Sequence, residues 1–324
     1  MISLQQIIEA SQVIQRGGTV AFPTETVYGL GANALNAEAV AKIFMLKERP
    51  FFDPLIVHIA SVKDIARLSD SDDPRAIELA SHFWPGPLTI VLPKSKAIPD
   101  IVTSGLSTVG LRMPANNIAL ELIRQSGCPI AAPSANKFGK VSPTKATHVL
   151  KQIPDIDYIL DGGPTTVGIE STVIALNNDG FNILREGFIT REDLLKVIPE
   201  SKSKYNNIGK ASPGLMNSHY SPDKPIYIMP AQEGLEYALK AGFNTSKGAF
   251  ISFYGKRPKG YNHTEILSLN GNLTEAAVNL FGCIHNLEDN CQIEFIVAEP
   301  VPETGIGIAI MDRLRKASFR YKNN

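Results

Sequence analysis

In PTETVYGLGANA, residues 23–34, Gly29, Gly31 and Ala34 reproduce the spacing of a dinucleotide-binding fingerprint. In that fold the glycines follow a strand directly and open a helix. Here Pro23, Thr24, Glu25 and Thr26 intervene after the apolar run TVAF (19–22), and the next helical pattern starts only at Asn36. The segment is therefore read as a strand-to-helix connection whose glycines serve a turn. Its two threonine hydroxyls, carboxylate and tyrosine can approach a small polar ligand across flexible backbone.

Outward from this segment, short apolar runs alternate with helical patterns. Strands are expected at TVAF (19–22), LIVHI (55–59), LTIVL (88–92), STVGLR (107–112), PIAA (129–132), YIL (158–160), STVIAL (171–176) and FNILRE (181–186). Helices are expected at 4–14, 36–47, 62–68, 74–83, 116–125 and 191–197, with Ser3, Asn36 and Thr190 as N-caps. After Pro199 the composition turns to Ser, Lys, Asn, Gly and Pro without apolar period, which marks 201–224 as a linker. Beyond it, strand (IYIM), helix (235–240), strands (AFISFY, EILSL), helix (273–287), strand (IEFIVA) and helix (306–317) spell a small α/β sheet of Rossmann-like type. The expected organisation is an α/β domain at 1–200, the linker, and a C-terminal α/β domain at 225–324.

Composition narrows the classes. The 324 residues are 44% hydrophobic and 20% charged, enough to bury sizeable cores. Lys plus Arg and Asp plus Glu both number 32, so the net charge of zero argues against a coat for nucleic acid or anionic membrane. The three cysteines, Cys128, Cys283 and Cys291, form no CxxC pair, as suits a reducing compartment. No secretory signal and no run of about 18 apolar residues is found, so a soluble cytoplasmic protein is expected.

Candidate site residues fall in several segments, each with a bland reading beside the functional one. Lys47-Glu48-Arg49-Pro50 closes a helix, where cations are common, yet a lysine and an arginine two apart can also grip a polyphosphate. His58 sits in an apolar run and reads more readily as a core residue than as a catalyst. Thr108, Gly110 and Arg112 share one strand face, which suits either an anionic ligand or an edge strand with a solvated face. Ala132, Ser134 and Asn136 in AAPSAN, then GIESTV (168–173) and Arg185, complete the set. No GxSxG, GxxxxGK[ST], HExxH or metal-ligand spacing is present.

Taken in order, these segments resemble the threonylcarbamoyl-AMP synthase family with its YrdC-type fold. The family's KxR…SxN signature is present as Lys47, Arg49, Ser134 and Asn136. PTETVYGLGANA, RPFFDPLIVHI, WPGPLTIVL, VGLRMP, APSAN and GIESTV also match, over about residues 5–200. HYSP (219–222) and the α/β tail look like the long, two-domain form. The fold implied is a YrdC-type twisted open sheet with helices, plus the smaller Rossmann-like domain.

The resemblance implies that L-threonine, bicarbonate and ATP give threonylcarbamoyl-AMP and pyrophosphate. The product would pass to a tRNA threonylcarbamoyl transferase complex for modification next to the anticodon. It places Lys47, Arg49, Asp53, Thr108, Ser134, Asn136, Ser142, Arg185 and Tyr220 around ATP, Lys47 and Arg49 being catalytic. Asp53 departs from the asparagine that many relatives carry. It places Thr26, His58, Arg112, Ala132 and Ser171 around threonine, with Arg112 on its carboxylate, and implies Tyr220 as a lid. Mg2+ would ride on the phosphates, so no protein ligand set is implied. Selectivity over serine rests on one methyl, worth only about 1 kcal/mol, so leakage is expected.

Two other readings compete. Carbamoyl-adenylate formation in hydrogenase maturation would bring CxxC zinc pairs, absent here. A double-stranded RNA-binding module using the Lys47/Arg49 concavity is opposed by the zero net charge and by a lack of interleaved aromatic and basic residues. Direct contact with tRNA is left open.

Overall fold

The computed structural model describes residues 2–203 and 219–321. The central part of the expected linker, 204–218, lies outside the described residues. The chain divides into two compact units. The first contains Met1–Phe138, Pro143–Thr166 and Glu170–Leu215; the second contains Gly139–Ser142, Val167–Ile169 and Met216–Asn324.

The longer helices of the first unit begin where the sequence supplies caps. Ser3 and Gln6 form a reciprocal capping box on Leu4–Gln15. The Asn36 side chain accepts from the N–H groups of Glu38 and Ala39 at Ala37–Lys47, and Asn116 does the same for Asn117–Ser126. Thr190 and Asp193 box Arg191–Leu195. Each such cap is worth about 1 kcal/mol. The helix Ala146–Gln152 was not anticipated; its only two apolar branched residues are too few to show a period.

Nine strands form one mixed sheet: β1 (Val20–Pro23), β2 (Tyr28–Asn33), β3 (Ile56–His58), β4 (Leu88–Pro93), β5 (Thr108–Arg112), β6 (Ile130–Ala131), β7 (Tyr158–Ile159), β8 (Thr172–Asn177) and β9 (Gly180–Arg185), in the order β7-β1-β2-β6-β3-β5-β4-β8-β9. One sequence expectation is corrected, and one of two open readings is excluded. First, 23–34 is not a plain strand-to-helix connection. Its second half is β2, antiparallel to β1 with Pro23 opposite Tyr28, so Gly29 and Gly31 lie in a strand and not in a turn. A Cβ on Gly31 would come within 2.6 Å of both Phe22 and Ile130, which is why the strand carries glycine there. Second, β5 is no edge strand: β3 and β4 flank it.

Alternation along the strands sorts side chains to two faces. Val57, Ile90, Leu92, Val109, Leu111 and Ile174 join the main core with Val40, Ile43 and Phe44 of the helix Ala37–Lys47. On the opposite face Val20, Phe22, Ile130 and Ala132 pack with Ile7, Ile14, Leu122 and Ile123 from two helices. Farther along that face, Ile56, Val91, Val173, Ala175 and Leu184 make a small separate cluster. By the same alternation His58, Thr89, Gly110 and Arg112 lie on this side of the sheet, beside that cluster.

The second unit has four parallel strands, β10 (Ile226–Ile228), β11 (Gly248–Ser252), β12 (His263–Ile266) and β13 (Phe295–Ala298), ordered β10-β13-β11-β12. Its helices are Ala231–Lys240, Leu273–Asp289 and Ile306–Ser318. The first starts four residues earlier than its apolar pattern suggested, and β12 starts two residues earlier than the run EILSL. Among the described residues no helix is long and apolar enough to cross a membrane.

Candidate active site

The turn between β1 and β2 is built by Thr24. Its hydroxyl donates to the Val27 carbonyl at 2.7 Å and accepts from the N–H groups of Thr26 and Val27. Because that donor is spent, the Thr26 hydroxyl donates to Thr24 Oγ1 at 2.8 Å and is left to accept from Arg112 Nη1 at 3.0 Å. Arg112, at the end of β5, also donates through Nη2 to Glu25 Oε1 at 2.6 Å and through Nε to the Gly86 carbonyl at 3.3 Å. The second Glu25 oxygen accepts from Ala115 N–H at 3.1 Å. Arg112 and Glu25 are both buried, so this is a desolvated ion pair held by further hydrogen bonds. Glu25 was named in the sequence only as a carboxylate of the loop, without a role.

His58 is the neighbour of Arg112 in the register of β3 and β5. It is buried, edge-on to Phe22 with ring centroids 6.2 Å apart, and its Nδ1 has no hydrogen-bond partner among the described residues. Burial first, and the Arg112 charge second, push its pKa down to about 3. The imidazole is neutral at physiological pH and carries no proton to trade there. The sign for stability follows. Between about pH 3 and 6.5 the unfolded chain binds this proton and the folded chain does not, so the group favours unfolding as pH falls through that window. Between pH 7 and 5 it is expected to remove about 2 kcal/mol. Urea unfolding of His58→Gln at both pH values should show that much less acid sensitivity than the parent; equal sensitivity would refute the role.

The helix Ala37–Lys47 ends with Glu48 in the left-handed region (φ 52°), which turns the chain so that Lys47 points inward and Arg49 follows. Lys47 is 1% exposed. Its Nζ donates to the Ser134 carbonyl at 2.6 Å and to the Asn136 carbonyl, while Phe138 N–H donates to the Lys47 carbonyl at 2.8 Å. The two halves of the KxR…SxN signature are thus joined directly, through backbone oxygens of the second half. That loop is also tied to β2, Leu30 N–H donating to the Pro133 carbonyl and Ala135 N–H to the Tyr28 carbonyl. Ser134 bridges to Gly29, and Ala132 N–H donates to the Ile56 carbonyl.

Arg49 donates from Nε to the Asp53 carbonyl (3.1 Å) and from Nη2 to the Pro54 carbonyl (2.9 Å), and Nη2 also lies 2.9 Å from Asp53 Oδ2. Asp53 is therefore the ion-pair partner of Arg49, a role that an asparagine could fill only as a neutral acceptor. Its pKa is raised by burial in spite of Arg49, Lys47 and Arg185, which all pull it down. Lys47 is held well below the ordinary lysine value, by burial first and by Arg49 second, against Asp53 and Glu170. Three cations, Lys47, Arg49 and Arg185, are thus felt at one buried carboxylate.

Arg185, at the end of β9, donates from Nε and Nη2 to the Ser171 carbonyl (3.1 and 3.0 Å) and from Nη2 to Ser171 Oγ (3.0 Å). Ser171 Oγ is also 2.8 Å from Thr89 Oγ1. Thr89 escaped the sequence reading because it lies inside an apolar run; its position on the face of Gly110 and Arg112, visible by period two once β4 and β5 are paired, was the available signal. Thr108 is half-buried at the start of β5, opposite Pro93.

The first unit thus brings together Thr26 with Arg112, Lys47 with Ser134 and Asn136, Arg49 with Asp53, and Arg185 with Ser171. Ser142 and Tyr220 belong to the second unit. The Ser142 carbonyl accepts from His285 Nε2 at 3.1 Å. Tyr220 is buried there, its ring 5.3 Å from that of Phe281 and 5.6 Å beneath the Arg313 guanidinium. Among the described residues no group of three or more His, Cys, Asp or Glu could hold a metal ion.

A family model described as telomere recombination, covering Sua5, YciO and YrdC, matches residues 12–187. A second, described as threonylcarbamoyl-AMP synthase, C-terminal domain, matches residues 189–318. The threonylcarbamoyl-AMP synthase of Pyrococcus abyssi is 43% identical over 320 residues, which span 95% of this chain and 93% of that protein. The chain belongs to the threonylcarbamoyl-AMP synthase family. The synthase of Bacillus subtilis is 41% identical over 97% of this chain and 93% of its own length. The crystal structure of P. abyssi Sua5 complexed with L-threonine matches with a TM-score of 0.90 at 41% identity, covering 98% of this chain and 95% of that one. The YrdC-type fold and the added α/β domain expected from the sequence are those of this family, whose members are enzymes of nucleotidyltransferase type.

Proposed function

We propose that the first unit condenses L-threonine, bicarbonate and ATP into threonylcarbamoyl-AMP with release of pyrophosphate and water. The observation that carries the reading is that Arg49 pairs with buried Asp53 while Lys47, two residues before it, bonds to the Ser134–Asn136 loop, in a chain of this family. The threonine amine and bicarbonate form a carbamate and lose water. A carbamate oxygen then bonds to the α-phosphorus as the bond from that phosphorus to the β-phosphate oxygen breaks, and the electron pair leaves with pyrophosphate. Charge gathers on the leaving group, so fixed cations in a desolvated site are the catalytic requirement.

In this reading Lys47, Arg49 and Arg185 stabilise the phosphates, and Ser134, Asn136 and Thr108 position the nucleotide. Arg112, held by Glu25, Thr26 and Gly86, faces the threonine carboxylate, with Ser171, Ala132 and neutral His58 bordering that subsite. Mg2+ enters as part of the ATP substrate and neutralises phosphate charge with mostly water ligands. The product then serves threonylcarbamoylation of tRNA by a separate transferase complex. The P. abyssi protein crystallised with L-threonine supports the amino acid assigned here.

The test is pyrophosphate release from ATP with threonine and bicarbonate omitted in turn. Release that needs both supports the synthase; release indifferent to threonine refutes that substrate.

A further inference from the structure

In the second unit β11 ends at Ser252 and is followed by Phe253-Tyr-Gly-Lys-Arg-Pro-Lys-Gly-Tyr261, a stretch in which aromatic and basic residues interleave. It corrects the sequence reading, which found no such stretch. The segment leaves the carboxyl end of a parallel sheet, the end at which open α/β sheets collect ligands.

Its two ends are fixed. Glu299 accepts from Ser252 Oγ at 3.1 Å and from Phe253 N–H at 2.8 Å, and Ser252 Oγ accepts from Lys256 N–H at 3.0 Å. Tyr261 hydroxyl donates to the Ala231 carbonyl at 2.7 Å. Gly255 (φ 72°) and Gly260 (φ 97°) bracket the tip in a backbone region closed to most side chains. The tip therefore presents Lys256, Arg257 and Lys259, all exposed, on an anchored loop.

Among the described residues none of these three cations is in an ion pair, as Lys247 is with Glu294 and Arg315 with Glu303. Beside the tip, Tyr254 is 55% and Leu269 66% exposed, and the Tyr254 ring lies over Gly271, where a Cβ would come within 2.3 Å of it. The carboxylates at this edge are engaged, Glu299 as above and Glu275 by Ser268 Oγ at 2.6 Å. Unpaired cations next to an aromatic face kept in solvent match the two needs of a single-stranded nucleic acid, phosphate neutralisation and a stacking platform.

We propose that the loop of residues 253–261, with Tyr254, Lys256, Arg257 and Lys259, is an RNA-binding surface for single-stranded segments. The reading does not depend on the reaction proposed for the first unit, because binding is measured without turnover. The full chain would be titrated with a fluorescent single-stranded RNA oligonucleotide and an unmodified tRNA transcript over a range of salt. Lys256→Glu/Arg257→Glu/Lys259→Glu should lower the slope of log affinity against log salt by about 2. Tyr254→Ala should weaken binding about tenfold with the salt slope unchanged. Thermal unfolding and RNA-free pyrophosphate release, both expected to match the parent, establish that the variants are folded. Absence of binding by the parent at about 50 mM salt overturns the proposal. So does an unchanged slope in the triple variant. Tight binding of poly-L-glutamate with none of RNA also overturns it, and points to an acidic protein partner.

Discussion

Lys47→Met is expected to lower threonine-dependent pyrophosphate release by two to three orders of magnitude, about what removal of one fixed charge-stabilising donor costs. The fold should survive. The ammonium is fully buried and its pKa is driven down, so holding it costs free energy that an apolar side chain of similar length does not. Against that gain, the carbonyls of Ser134 and Asn136 lose a donor, at about 1 kcal/mol each. The two effects nearly offset, and the thermal midpoint should move little while activity falls. Arg49→Ala should lose comparable activity with a larger stability loss, because it strands the Asp53 carboxylate in a buried site. Adding Asp53→Asn should restore that stability without restoring turnover. Pyrophosphate release unchanged in both single variants would remove Lys47 and Arg49 from the mechanism.

Glu25→Ala carries the largest expected stability loss. It leaves the Arg112 guanidinium buried with only Thr26 Oγ1 and the Gly86 carbonyl as acceptors, and it orphans the Ala115 N–H. Breaking one partner of a buried pair costs about 3–5 kcal/mol, much of it the uncompensated charge. Glu25→Gln keeps one acceptor oxygen, enough for Arg112 but not also for the Ala115 N–H, and should cost less than the alanine. Urea unfolding at pH 7 measures both, and a loss below about 1 kcal/mol for Glu25→Ala would show that water reaches the pair. The double variant Glu25→Ala/Arg112→Met should recover part of the loss, since no isolated charge remains.

Much of this architecture was legible locally. Ser3 with Gln6, Asn36, and Thr190 with Asp193 act within four residues of themselves, so their side chains cap helices wherever the helices end up packing. Runs such as LTIVL and STVIAL declare strands because a short, branched apolar run suits a strand covered on both faces. Two elements resisted reading for definite reasons. β2 carries glycines where strands normally carry branched residues, and only the packing of Phe22 and Ile130 explains them. The polar face of β5 looks the same whether water or a ligand lies over it, and strand order alone shows the strand to be central.

The candidate site divides in the same way. Residue types and their order along the chain were enough to mark Lys47, Arg49, Ser134, Asn136, Arg112 and Arg185 as members of a known pattern, because a pattern of identities needs no geometry. Who holds whom was decided by tertiary structure. Glu25 reaches Arg112 across 87 positions, Lys47 reaches the Ser134 carbonyl across the same number, and Thr89 meets Ser171 across 82. Their strengths also follow from burial: a lysine acquires a depressed pKa, and a histidine one of about 3, only when the fold strips water from them. The chain alone determined which chemical groups are available and where most of its helices and strands begin. Which of those groups become buried, paired or left facing solvent was settled by the sheet order, since desolvation and charge pairing act through space between residues far apart in sequence.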